Sequence, residues 1–125
     1  MQFDSLAPGR LVSIPALALV ALLGITPTIA AQEHSAAHEG WRQYMVHCAR
    51  CHGDDAMGGV MAPDLRTSVK KGTVDQQAFS SIVLEGRREQ GMPGFKGQIT
   101  DQQVTSIYEY VAARASGKLK SGRPA

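Results

Sequence analysis

The chain contains only two cysteines, Cys48 and Cys51, separated by two residues and followed at once by His52. Two thiols so close in sequence cannot form the scattered disulfide framework that staples many small exported domains. The constraint is severe because the chain has only 125 residues, and residues 1–30 read as removable, leaving a mature body of about 95. A domain of that size buries only about two-thirds of the surface its unfolded chain exposes. Aromatic residues make up 6% of the sequence, so a core built of side chains alone would be thin. A large apolar cofactor is the component such a body lacks.

Residues 11–25 form an apolar run preceded by Arg10 and followed by Thr26, Pro27, Thr28, Ile29, Ala30 and Ala31. A weakly basic start, an apolar centre and small residues at the cut are the layout of a secretory signal peptide. Cleavage after Ala30 or Ala31 leaves residues 31–117 as one domain and residues 118–125 as a polar, loose tail. The competing reading is a retained membrane anchor. Fifteen residues that include Pro15 fall short of the roughly 20 that cross a bilayer. The expected location is therefore the periplasm, with membrane association only if the segment is retained. The formal charge of +2 and pI of 8.7 come from interspersed acids and bases, a pattern that does not suggest nucleic-acid binding.

Periodicity predicts three helices. The first spans about 35–49, with Ala37, Trp41, Tyr44, Met45 and Cys48 on one face. The second spans about 74–85, opened by the pair Thr73 and Gln76 and stopped by Gly86, with Ala78, Phe79, Ile82 and Val83 inward. The third is opened by Thr100 and Gln103, carries Val104, Ile107, Tyr108 and Val111 on one stripe, and ends by Gly117. No segment keeps the period-two alternation of a half-buried strand. The expected fold is all-α, with long glycine- and proline-rich loops at 53–63 and 86–97. Loops of that length in so small a domain call for something that organises them.

Cys48-Ala49-Arg50-Cys51-His52 matches the attachment motif for a c-type haem. Two intervening residues bring both thiols to the vinyl groups on one porphyrin edge, and the next residue then points an imidazole under the ring. A zinc site would need two further ligands, drawn from distant histidines. A thioredoxin-like redox pair would need a βαβ context that is absent. Unmodified structural thiols are a liability in an oxidising compartment.

Beyond this pentad, Gly40 and Tyr44 stand at helical spacing before Cys48, Ala62-Pro63-Asp64-Leu65 follows the motif, and Gly91-Met92-Pro93-Gly94-Phe95 lies before a terminal helix carrying Tyr110. Over residues 40–115 the chain resembles the class I cytochrome c family. The resemblance implies a cytochrome c fold of three main helices around one haem c per chain, bound through Cys48 and Cys51, with iron held by His52 and Met92. It also implies that the Pro63 carbonyl accepts a hydrogen bond from the outer nitrogen of His52, orienting the ring and raising its basicity. Met57 and Met61 are the other candidates for the sixth position. At about 3.3 Å per extended residue, reach alone does not exclude Met61. His34 and His38 read as solvated residues, and His47 as facing water.

With both axial positions taken by protein, the implied function is one-electron transfer rather than catalysis, in a monomer that meets its partners transiently. The rival readings, a peroxidase-like enzyme and a haem-based sensor, both require a labile sixth ligand. Lys70, Lys71, Arg87, Arg88 and Lys96 flank the two loops and suit an acidic partner, with Asp54 and Asp55 diluting them. The segment 86–95 and the chain ending are similar to those of small cytochromes that accept electrons from quinoprotein alcohol dehydrogenases. An oxidase or another cytochrome would then be the acceptor. N-terminal sequencing of the exported protein is expected to begin at Ala31 or Gln32, whereas a chain starting at Met1 and sedimenting with membranes would contradict the signal assignment.

Overall fold

The computed structural model describes residues 29–125; the apolar run at 11–25 lies outside them, as does the side chain of His34. Five helices follow in order: α1 Ile29–His47, α2 Ala49–His52, α3 Leu65–Lys70, α4 Gln76–Glu85 and α5 Asp101–Ala115. Short 3-10 turns occupy Asp54–Ala56 and Arg88–Gln90. The described residues contain no sheet, only isolated bridges between Arg87 and Met92 and between Lys96 and Ile99. No described helix is long and apolar enough to cross a membrane. The all-α expectation holds, with α1, α4 and α5 as the three main helices.

Local chemistry accounts for most of the boundaries. Helix α5 carries the predicted capping box: the Gln103 N–H donates to Thr100 Oγ1 at 3.2 Å, and the Thr100 N–H donates to Gln103 Oε1 at 2.8 Å. Gly117 at φ 77° lies just beyond its end. Helix α4 departs from expectation. Its cap is Asp75, whose carboxylate accepts the Ala78 N–H at 2.8 Å, whereas Thr73 donates to the Ser68 carbonyl at 2.9 Å. A carboxylate is the stronger acceptor at a helix N-terminus, where the dipole favours negative charge. Helix α1 stops at His47, before its predicted end, because Cys48 turns to φ −120° and hands the chain to α2.

Helix α3 was not predicted at all. Its six residues are too few to hold a helix alone, but Asp64 caps it through the Thr67 N–H at 3.1 Å, and Leu65 and Val69 pack on the core.

The core forms where α1 crosses α5. Tyr44 and Tyr110 are both fully buried, with ring centroids 5.3 Å apart at 46°. Val104, Ile107 and Val111 complete the α5 stripe, and Phe79 and Val83 of α4 close it from one side. Each such aliphatic residue contributes about 1.5–3 kcal/mol by leaving water. Tyr108, expected on the same stripe, is half-buried and meets Phe79 edge-on at 5.5 Å. Met45, expected inward, is 39% exposed, and Gln43 occupies the buried flank by donating to Glu39 Oε1 at 2.7 Å.

Residues 118–125, read in the sequence as a polar tail, make contacts with the helices. Leu119 packs on the core, Pro124 is buried, and the Arg123 guanidinium lies 5.4 Å from the centre of the Trp41 ring. Its polar composition hid these anchors, because each depends on a partner distant in sequence.

The crossing depends on Gly40. A Cβ built there would come within 2.0 Å of the Ser106 carbonyl oxygen and 2.9 Å of Tyr110 Cβ. Gly40→Ala is therefore expected to cost about 3 kcal/mol through forced separation of the helices. Thermal unfolding followed by circular dichroism should report a midpoint lowered by roughly 10–20 °C.

Candidate functional site

The proposed attachment residues share one turn of chain. Cys48 stands at the N-cap of α2, and its carbonyl accepts the N–H groups of Cys51 at 3.1 Å and His52 at 2.9 Å. Both thiols are free and partly buried. Burial, and then the neighbouring Cys51, push the Cys48 thiol up to about 12, so it stays protonated at neutral pH. A thiol so disposed is a poor thiolate ligand. Among the described residues, no group of three or more His, Cys, Asp or Glu side chains converges to hold a metal ion.

His52 is buried, and its Nδ1 lies 3.0 Å from the Pro63 carbonyl oxygen. A carbonyl can only accept, so Nδ1 carries a proton and donates it to this bond. The loop between them is tightly folded. Tyr44 Oη donates to the Gly53 carbonyl at 2.6 Å, and the Gly58 N–H donates to the His52 carbonyl at 2.7 Å. Gly53 at φ 72° and Gly58 at φ 78° make the close turns, since a Cβ on Gly58 would lie 2.5 Å from Asp64 N. Between them, Asp55 and Ala56 are held at φ 58° and 59°, a left-handed conformation that costs non-glycine residues about 1–2 kcal/mol each.

Met92 is positioned by a second device. After α4 the chain folds back so that the Arg87 N–H donates to the Met92 carbonyl at 2.9 Å and the Met92 N–H donates to the Arg87 carbonyl at 3.1 Å. The Phe95 and Lys96 N–H groups then donate to the Val83 and Leu84 carbonyls. Gly94 permits this approach, since a Cβ would sit 2.7 Å from the carbonyl oxygens of Leu84 and Glu85. Met92 is half-buried against the core, with an open cleft of about 470 Å³ beside it lined by Arg88, Gly91, Met92, Pro93 and Gly94. Met57 and Met61 are 53% and 74% exposed and stand apart from this packing.

The two halves of the site touch through a pair that sequence reasoning missed. His47, expected to face water, meets Phe95 edge-on at 5.9 Å, joining the residue before Cys48 to the loop that carries Met92. His38 packs on Trp41 at 5.6 Å instead of standing free in solvent. Asp55, read in the sequence only as diluting the basic rim, pairs with Arg114 at 2.9 Å, with side chains 16% and 3% exposed. No local signal marks that pair, because the two residues lie on elements that meet only after folding.

Two thiols on one helical turn, an imidazole with its outer nitrogen tied and its inner nitrogen free, and a thioether on a tethered loop form a donor set that fits an iron porphyrin. Comparison with known proteins agrees. Residues 35–111 match the model of the family described as cytochrome C oxidase, cbb3-type, subunit III. Cytochrome c-555 of Methylococcus capsulatus is 30% identical over 115 residues, covering 90% of this chain and 89% of that protein. The quinohemoprotein alcohol dehydrogenase ADH-IIG of Pseudomonas putida is 34% identical over 96 residues, which cover 77% of this chain and 13% of the dehydrogenase. The chain thus spans only a small part of that relative's length. The crystal structure of the c-type cytochrome XoxG from Methylobacterium extorquens AM1 superposes with a TM-score of 0.63 at 32% identity, covering 72% of this chain and 57% of the other, so the fold is that of cytochrome c. With a family match running from α1 into α5 and a cytochrome aligned over most of both lengths, this chain belongs to the c-type cytochromes.

Proposed function

We propose that this protein is an exported one-electron carrier whose haem c is bound through Cys48 and Cys51 and ligated by His52 and Met92, with a quinoprotein dehydrogenase as donor. The observation that carries the ligand reading is the 3.0 Å contact between His52 Nδ1 and the Pro63 carbonyl. It holds the ring in one tautomer and leaves Nε2 basic and available. When bound, the haem supplies an iron that changes oxidation state by one electron. Cys48 and Cys51 would hold it covalently, each thiol adding its sulfur and its hydrogen across one vinyl group. Met92 is favoured over Met57 and Met61 because its backbone is tied on both sides and its side chain packs on the core. A thioether from Met92 would raise the reduction potential relative to a nitrogen ligand.

The donor reading is supported by the quinohemoprotein alcohol dehydrogenase that aligns with 77% of this chain. Arg87 and Arg88 lie exposed beside the Met92 turn, and Lys70 and Lys71 lie exposed at the end of α3. Lys96 is partly neutralised by Glu85 at 3.4 Å. These cations suit an acidic docking face, and reduction by such a dehydrogenase should slow steeply as salt is raised. Export is supported by the layout of residues 1–30.

Met92→Ala is expected to abolish the sulfur-to-iron charge-transfer band at the red end of the spectrum and to open the reduced protein to carbon monoxide. The native protein should resist carbon monoxide, and its mass should include one covalently bound haem. Rapid and complete binding by the native form would favour the peroxidase-like or sensor alternative.

A further inference from the structure

The C-terminal residues are tied to the turn that follows His52. The Gly122 N–H donates to both oxygens of the Asp55 carboxylate, at 3.0 and 3.2 Å, across 67 residues of sequence. Arg114 Nη2 meets the same carboxylate at 2.9 Å, while Nη1 donates to the Leu119 carbonyl at 3.0 Å and Nη2 lies 3.4 Å from Ser121 Oγ. Asp55 is thereby gripped by α5 and by the tail at once. Tyr110 Oη is buried beside this pair without completing a hydrogen bond to either member. Burial, and then the Asp55 charge, push its hydroxyl up to about 12, so it keeps its proton through neutral pH.

A short path leads from Asp55 to the imidazole. Asp55 and Ala56 occupy left-handed backbone, a turn that persists only where surrounding contacts hold it. The turn delivers Gly58, whose N–H donates to the His52 carbonyl and whose backbone lies against Pro63 and Asp64. The Pro63 carbonyl in turn holds His52 Nδ1.

We propose that residues 119–124, acting with Arg114 through the Asp55 carboxylate, are a clamp that positions His52 by fixing where the Pro63 carbonyl stands. The inference rests on His52 being the iron ligand. Releasing the clamp lengthens the Nδ1–H to carbonyl bond, lowers the basicity of Nε2 and favours reduced over oxidised iron.

The test uses the holoprotein with Gly122→Pro, which removes the donating N–H, and a chain ending at Gly117, which removes the tail. In both, the His52 Nδ1 proton observed by nuclear magnetic resonance should exchange roughly tenfold faster or more, as for loss of a hydrogen bond to a charged group. The reduction potential should rise in both. Thr100→Ala, which weakens the far end of α5, should leave the potential unchanged, separating positioning from general stability. Unaltered exchange and potential in both tail variants, while His52→Ala destroys the native haem spectrum, would overturn the clamp alone. A native spectrum retained in His52→Ala would overturn the ligand assignment and the clamp with it.

Discussion

Helix α1 reaches α5 only because Gly40 has no side chain, and the placement of nearly everything else follows from that approach. With the helices this close, Tyr44 and Tyr110 pack at a tilt into a shared, fully buried core. The same crossing sets the end of α1, and therefore where Cys48 turns the chain into the motif. It also sets the end of α5, from which Arg114 reaches back to Asp55. Both ends of the haem-attachment segment thus take their coordinates from one helix pair. Tyr44 links the two roles directly, since its ring fills the core and its hydroxyl holds the Gly53 carbonyl just beyond His52.

The site combines two kinds of backbone control. Around His52 the chain is held in tight turns, some in left-handed conformations that cost energy, and the compensating contacts come from the buried Ala56 and from the Asp55 ion pair. Around Met92 there is less strain and more tethering. Glycine lets the loop lie directly on the last turn of α4, where main-chain hydrogen bonds fix it. Under the proposed function both kinds of control would serve one end, because side chains that do not move between oxidation states keep reorganisation small. The contact of His47 with Phe95 joins the two regions.

The helical skeleton was legible because its signals are local. Apolar spacing marked α1, α4 and α5, and the Thr100 and Gln103 capping box marked the start of α5 to the residue. At the start of α4 the expected Thr73 cap gave way to Asp75, whose carboxylate meets the Ala78 N–H in the folded helix. Helix α3 was missed because six residues carry too little periodicity, and its stability comes from packing on α5 rather than from its own propensity.

By itself, the sequence determined the chemistry: two thiols at a fixed spacing, an adjoining imidazole, a methionine among glycines and a proline carbonyl without a competing N–H. These are properties of covalent order, readable before any fold exists. Tertiary structure alone decided which groups meet across distance. It brought the Pro63 carbonyl to His52, tied the Met92 loop to α4, set His47 against Phe95 and turned a polar tail into a partner of Asp55. Hydrogen bonds and ion pairs of that kind leave no periodic trace in the chain, because their geometry exists only once α1 and α5 have crossed.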